Sequence, residues 1–148
     1  MNDAARELAD VAAQQCAGVA RVMLDRGRVP ALVLCSSAVR AQQTWDLVAA
    51  ALPQQPAIRV LDELYLAGLE EVIDLLHTVP AEVTDVLVVG HEPTMSATAD
   101  YLAADDSDQA ARALVRVGVP TASLCLLHTD GQWSGLGHRG ATLTEVVT

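Results

Sequence analysis

The sequence predicts a three-layer α/β/α fold with a mostly parallel, mixed sheet. Short apolar runs typical of buried strands alternate along the chain with longer segments that have the spacing of amphipathic helices. Such alternation is typical of a parallel sheet with helices on both faces. The length of 148 residues is that of one domain, and the sequence has neither an internal repeat nor a linker. We therefore expect residues 1–148 to form a single domain.

Four segments have apolar residues at helical spacing. The first runs from Asp3 to about Asp25, and Gly27 and Pro30 follow it as helix-ending residues. The other predicted helices cover residues 38–52, 69–77 and 93–103. These helices supply the outer layers of the predicted fold.

Five short segments are predicted to be strands. Residues 31–35 and 86–89 are continuously apolar, as strands buried on both faces are, and residues 86–89 form the clearest buried strand. The other predicted strands are residues 58–61, 122–127 and 142–147. Residues 105–108, which are Asp-Asp-Ser-Asp, are predicted to be a solvated turn.

The composition is apolar and acidic. Hydrophobic residues make up 51% of the chain, but only 3% are aromatic and Phe is absent, so we expect an aliphatic core. The formal net charge at pH 7 is −10. A protein this acidic repels nucleic acid and anionic membrane surfaces, and we expect neither as a partner. A phosphorylated ligand would need a local cluster of cations to overcome the same repulsion.

The three cysteines, Cys16, Cys35 and Cys125, are far apart and lack the spacing of a zinc site. An odd number of scattered cysteines also argues against a disulfide framework, and we expect each to be a small buried apolar residue. The first residues carry acids and lack the basic start of an export signal. Together these features predict a cytoplasmic protein.

A polar segment follows the strand predicted at residues 31–35. Ser36 or Ser37 is a suitable helix N-cap, which places Arg40 in the first turn of the next helix. A cation is unfavourable there by about 0.3–1 kcal/mol, because the helix dipole is positive at that end. An anion bound at the same helix start would reverse the sign of that interaction. A solvated arginine with no special role is the alternative.

A second polar segment, Gly90-His91-Glu92-Pro93, follows the strand at residues 86–89. Pro93 suits the first position of a helix because it has no N–H to leave unsatisfied. In open α/β sheets, ligands bind at the carboxyl ends of the strands. We therefore expect His91 and Arg40 to face one cleft.

These two segments resemble motifs of the histidine phosphatase superfamily. Residues 36–44, Ser-Ser-Ala-Val-Arg-Ala-Gln-Gln-Thr, resemble its S-S-x-x-R-A-x-Q-T signature. Gly90-His91-Glu92-Pro93 resembles its second histidine motif, in the form found in SixA-type phosphohistidine phosphatases. The motifs come in the family's order, and Gly131-Gln132-Trp133 near the chain end also resembles that branch. The resemblance implies a phosphoglycerate-mutase-like fold.

The resemblance also implies a chemistry. In the family, a histidine in an R-H-G or R-H-A motif attacks phosphorus, while arginines and a second histidine surround the phosphoryl oxygens. By resemblance, Arg40 and His91 are catalytic and bind phosphate, and Arg6 is a further, weaker match to a phosphate-binding residue. No metal or other cofactor is implied. The implied ligand is a phosphorylated small molecule or a phosphohistidine protein.

The family's first strand, with its R-H-G motif, has no counterpart in this sequence. None of His77, His128 and His138 is a convincing replacement, although Gly137-His138-Arg139-Gly140 echoes the motif in scrambled order. An interior strand buries about four or five aliphatic side chains at ~1.5–3 kcal/mol each, which is comparable to the whole stability of a domain. We expect the domain to be incomplete at its amino terminus, with the first strand missing; a degenerate protein is the alternative, in which a homodimer partner or a shifted strand fills the slot.

Three functions are compatible with these observations. The first is a SixA-type phosphatase that acts on phosphohistidine or another small phosphomonoester, of which this chain is an inactive, shortened form. The second is a non-catalytic module that binds a phosphoryl group with Arg40 and His91. The third is an unrelated parallel α/β domain that matches the two motifs by chance; side chains of Arg40 and His91 that lie well apart or point to opposite faces would exclude the family resemblance.

Overall fold

The computed structural model describes residues 3–148, and their side chains from Asp10 onward. Helices and strands alternate over most of the chain, as predicted. The helices are α1 (Asp3–Asp25), α2 (Val39–Ala50), α3 (Leu69–His77), α4 (Thr94–Leu102) and α5 (Gln109–Val117), and the strands are β1 (Leu32–Ser36), β2 (Ala57–Leu61), β3 (Val86–Val89), β4 (Leu124–His128) and β5 (Thr142–Val147). Among residues 3–148, no helix has the length and apolarity needed to cross a membrane.

Three parallel strands form the central sheet, in the order β2-β1-β3. Parallel strands need crossover connections, which α2 provides between β1 and β2 and α3 provides between β2 and β3. Leu34 of β1 lies between Arg59 of β2 and Val88 of β3 in the register. This pairing brings the carboxyl ends of β1 and β3 side by side.

Two apolar cores lie on opposite faces of β1. Val33 and Cys35 pack with α1 and α2 in a cluster that we call the α1/α2 core. Leu32 and Leu34 pack with α3 and the end of α4 in a second cluster, the α3/α4 core. The alternation of β1 side chains between the two cores is the period of a strand covered by helices on both faces, so the three-layer prediction is confirmed.

The last part of the chain differs from the prediction. Residues 109–117, which were not predicted to be helical, form α5, which begins at Asp108, whose carboxylate accepts a hydrogen bond from the Ala111 N–H at 2.9 Å. The predicted solvated turn is solvated only in part, because Ser107 is buried and its Oγ accepts from the Leu143 N–H. The segment is a helix cap and a packing contact as well as a turn.

The strands β4 and β5 form a separate antiparallel ladder that does not pair with the central sheet. Among residues 3–148, β3 therefore has a paired neighbour on one edge only, and all four of its residues are half-buried. The expectation that residues 86–89 form a strand is confirmed, but the expectation that this strand is buried is wrong. Their apolar sequence suits full burial, but the neighbour that would complete it is absent among residues 3–148.

Candidate functional site

The first half of the site is the turn from β1 into α2. Ser36 is fully buried, and its Oγ accepts a hydrogen bond from the Ala38 N–H at 3.2 Å. The residue that precedes α2 is Ala38, which supplies no side-chain cap, so the predicted capping of α2 by Ser36 or Ser37 is wrong. Arg40 lies in the first turn of α2, as expected, and is exposed.

The second half is the turn from β3 into α4. Pro93 precedes the helix instead of occupying its first position, so α4 begins one residue later than predicted. The Glu92 carboxylate accepts hydrogen bonds from both the backbone N–H and the hydroxyl of Ser96, at 3.0 and 2.6 Å. Glu92 is therefore engaged at the start of α4, where the helix dipole favours a negative charge.

Arg40 and His91 meet between these two turns. Arg40 Nη2 lies 3.3 Å from His91 Nδ1, and His91 Nε2 lies 2.8 Å from Ser36 Oγ. A guanidinium has only donors, so Nδ1 accepts and the ring proton is on Nε2. His91 is then neutral and donates to Ser36 Oγ. The two side chains lie together, so the arrangement that would have excluded the family resemblance is not observed.

The pKa of His91 is lowered, first by burial and then by the positive charge of Arg40. Both causes penalise the imidazolium form, in agreement with a hydrogen bond accepted at Nδ1. Within the described side chains, Arg40 makes no ion pair with a carboxylate. An exposed guanidinium without a counterion, beside a half-buried imidazole, is an arrangement that an anion would stabilise.

The starts of two helices add to this field. Arg40 is in the first turn of α2, and His91 lies three residues before Thr94, the first residue of α4. Backbone N–H groups at a helix start carry partial positive charge and attract anions. The Tyr65 ring is 6.0 Å from that of His91, centroid to centroid, and forms one side of the site. The arrangement can bind a small anion such as a phosphoryl group.

The other histidines are engaged elsewhere. His77 Nε2 contacts the carbonyl oxygen of Leu136, and His128 Nε2 is 2.9 Å from a carboxylate oxygen of Asp130. The ring of His138 is 5.1 Å from that of Tyr101. The side chain of Arg6, the third predicted phosphate ligand, lies outside those that the structure describes.

Two members of the site were not predicted. Ser36 was considered as a cap for α2 and as part of the S-S-x-x-R-A-x-Q-T resemblance, but not as a partner of His91, although its place at the end of a buried strand is a signal that its hydroxyl faces the cleft. Tyr65 lies in the irregular connection between β2 and α3, where no periodicity indicates its direction.

Comparison with known proteins finds relatives of this chain in mycobacteria. No model of a known protein family matches the chain. The uncharacterized protein ML1117 of Mycobacterium leprae is 34% identical over 120 residues, which are 80% of this chain and 72% of that protein. The uncharacterized protein Rv1276c of Mycobacterium tuberculosis is 40% identical over 112 residues, which are 74% of this chain and 68% of that protein.

Solved structures described as phosphohistidine phosphatase SixA have the same fold. The protein from Nakamurella multipartitia superposes with a TM-score of 0.71 at 29% identity, over 92% of this chain and 80% of that one. The protein from Agrobacterium tumefaciens gives a TM-score of 0.70 at 28% identity, over 92% and 79%. A SixA complexed with tungstate gives 0.71 at 20% identity, over 92% and 80%, which bears on the fold alone. The chain therefore belongs to the same family as the mycobacterial proteins, and it has the α/β fold of the SixA-type histidine phosphatases.

Proposed function

We propose that this domain binds the phosphoryl group of a phosphohistidine or another small phosphomonoester, as the phosphate pocket of a cytoplasmic SixA-type phosphatase. The observation that supports this most directly is the 3.3 Å contact between Arg40 and His91 at the ends of neighbouring parallel strands. Arg40 and His91 are its catalytic residues, and both hold phosphoryl oxygens.

The physical basis is electrostatic. A phosphoryl group carries charge on its equatorial oxygens during in-line transfer, and positioned cationic donors stabilise that charge. Arg40 supplies a permanent positive charge. In the free protein the Nε2–H of His91 is donated to Ser36, so His91 would supply an N–H to the anion from Nδ1, once the ring is protonated. A bound anion favours the protonated imidazole, so its binding would raise the pKa of His91, which is lowered in the free protein.

Hydrolysis through a phosphohistidine intermediate also requires a nucleophilic histidine. The other three histidines are engaged elsewhere: His77 contacts Leu136, His128 contacts Asp130 and His138 packs against Tyr101. We propose that the domain is incomplete, and that residues 1–148 alone have little or no phosphatase activity. An added apolar strand that ends in Arg-His-Gly would restore turnover.

Titration with phosphate and with vanadate tests the proposed pocket. We expect the ring resonances of His91 to shift with millimolar anion and its pKa to rise. Arg40→Ala should weaken binding at least about tenfold, which is the effect of losing one charge-assisted contact of about 1.5 kcal/mol or more. Arg59→Ala is the matched control, because it removes the same charge from the middle of β2. An unshifted His91, or equal losses in the two variants, would refute the pocket.

A non-catalytic phosphate-binding module is the second candidate. It is favoured by the same contact, which forms half a phosphate pocket without a nucleophile. The two candidates share anion binding and differ in turnover. If the chain extended by the Arg-His-Gly strand hydrolyses phosphohistidine and its His91→Ala variant does not, the phosphatase is supported; anion binding without turnover in the extended chain favours the module.

A further inference from the structure

Apolar side chains are exposed beside both members of the Arg40–His91 pair. Val39, which precedes Arg40 at the start of α2, is exposed. Tyr65, whose ring centroid is 6.0 Å from that of His91, is 47% exposed, and the next residue, Leu66, is 89% exposed. Single exposed apolar residues are common on protein surfaces, but apolar residues around a few polar groups are typical of ligand sites. These residues therefore form an apolar border of the proposed phosphate pocket.

The Tyr65-Leu66 segment lies between two anchored residues. Leu64 is buried in the α3/α4 core, and Ala67 packs against the same core. The Ala67 carbonyl accepts a hydrogen bond from the Thr94 hydroxyl at 3.0 Å. Thr94 begins α4 three residues after His91, so this bond holds the segment next to the turn that carries His91. The exposed segment is thus in place before a ligand binds, which lowers the entropic cost of contacting one.

Polar side chains near the pair use their donors on the backbone. The Thr44 hydroxyl donates to the Arg40 carbonyl at 2.9 Å, and the Thr94 hydroxyl is used in the same way. One amide N–H of Gln42 donates to the Ser37 carbonyl at 2.8 Å. A ligand group with many hydroxyls needs such partners, because its polar groups lose water on contact. Among the described side chains beside the pair, the exposed apolar ones are therefore the better contact for the rest of a ligand.

We propose that Tyr65 and Leu66 determine the specificity of the pocket for the carrier, which is the group to which the phosphoryl group is attached. This inference rests on the proposed function, in which Arg40 and His91 hold the phosphoryl oxygens. An apolar carrier, such as an aromatic ring, buries surface against Tyr65 and Leu66, whereas a polyhydroxylated carrier loses water without gaining partners. The pocket therefore selects phosphoryl groups on apolar carriers over sugar phosphates.

Binding of three probes to the full chain, followed by NMR, tests this proposal. Methylphosphonate measures the pocket alone, phenylphosphonate adds an aromatic carrier, and glycerol phosphate adds a polyhydroxylated carrier. We expect phenylphosphonate to bind at least about tenfold more tightly than either of the others, which corresponds to about 1.4 kcal/mol. The methyl resonances of Leu66 should shift with phenylphosphonate and not with methylphosphonate.

Leu66→Ser and Tyr65→Ser should each lower the preference for phenylphosphonate over methylphosphonate to less than about threefold, because each removes apolar surface that the ring buries. The preference is a ratio, so differences in acidity between the probes cancel when variants are compared. An unchanged ratio in either variant would overturn the proposal, as would glycerol phosphate that binds as tightly as phenylphosphonate. If no probe binds, the phosphate pocket fails and this inference with it; binding without preference overturns the inference alone.

Leu24→Ser is the matched control, because it makes the same change at another exposed leucine. Leu24 is 41% exposed in the last turn of α1. Arg28, four residues later, donates from Nε to the Asp85 carboxylate at 3.1 Å and from Nη2 to the Leu127 carbonyl at 2.7 Å. Asp85 precedes β3 and His91 follows it, so the control lies near the opposite end of that strand. It should keep the full preference, and an equal loss there would overturn the proposal.

Discussion

The strands β1 and β3 have nearly the same apolar composition but different surroundings. β1 (Leu-Val-Leu-Cys-Ser) has a paired neighbour on each edge, and all five of its residues are buried. β3 (Val-Leu-Val-Val) is paired on one edge, and all four of its residues are half-buried. Local sequence sets the tendency to form a buried strand, and the number of neighbours sets whether the burial occurs.

The largest expected difference between the two strands is the cost of truncating a leucine. Leu34→Ala in β1 should lower the free energy of unfolding by about 3–5 kcal/mol, because it leaves a cavity in a fully buried site. Leu87→Ala in β3 makes the same chemical change at a half-buried site and should cost about 1–2 kcal/mol. Urea unfolding monitored by circular dichroism measures both. Equal costs would mean that the unpaired edge of β3 is covered in solution.

Amide hydrogen exchange rates should also differ between β1 and β3. Amides of β1 are flanked by strands on both sides, whereas one edge of β3 is unpaired in the part of the chain that the structure describes. We expect the amides of β3 that point away from β1 to exchange at least about tenfold faster than the slowest amides of β1. NMR-detected hydrogen exchange gives both rates, and uniform protection across the two strands would contradict the unpaired edge of β3.

The contact between the ends of the two strands depends on the hydroxyl of Ser36. Ser36→Ala should cost about 1–2 kcal/mol of stability, because it leaves the Ala38 N–H and the His91 N–H without their acceptor. Ser37→Ala is the control and should stay within about 0.5 kcal/mol, since the described contacts of Ser37 are made by its backbone. Ring nitrogen shifts of His91 should change only in the first variant. Unchanged shifts there would contradict the tautomer assigned to His91.

The smallest expected effect is on the pH dependence of stability. The pKa of His91 is lower in the folded protein than its ordinary value of 6.5, so between these two pH values the unfolded state binds more protons. Stability should therefore fall as the pH decreases from 6.5 through the folded-state pKa. His91→Gln removes this contribution and should flatten the slope in that window. A steeper slope in the variant would show that the sign is wrong.

Most of the fold could be predicted from the sequence, because apolar runs and helix-ending residues mark most elements locally. Predicted and observed bounds agree for α3, β3 and β5. The helix α5 was missed because Asp108 looks like part of an acidic turn, and only its bond to Ala111 distinguishes a cap from a loop. The half-burial of β3 could not be predicted, since it depends on a strand neighbour that local sequence does not specify.

The candidate site, like the fold, could be predicted only in part. Arg40 and His91 follow strands that pair, and parallel strands place such residues together. The role of Ser36 as the acceptor for His91 depends on a side-chain direction that the sequence does not contain. The register Cys35–Val89 brings the two turns level, and this became visible only in three dimensions.

Arg28 has a consequence for how much of β4 is open to a new neighbour. The Nη2 of Arg28 donates a hydrogen bond to the carbonyl oxygen of Leu127, and its Nε donates to the carboxylate of Asp85. A ladder on β4 can therefore grow from the His91 end only as far as this guanidinium, unless the ion pair opens. Arg28 therefore limits the number of backbone hydrogen bonds that the unpaired edge of β4 can make.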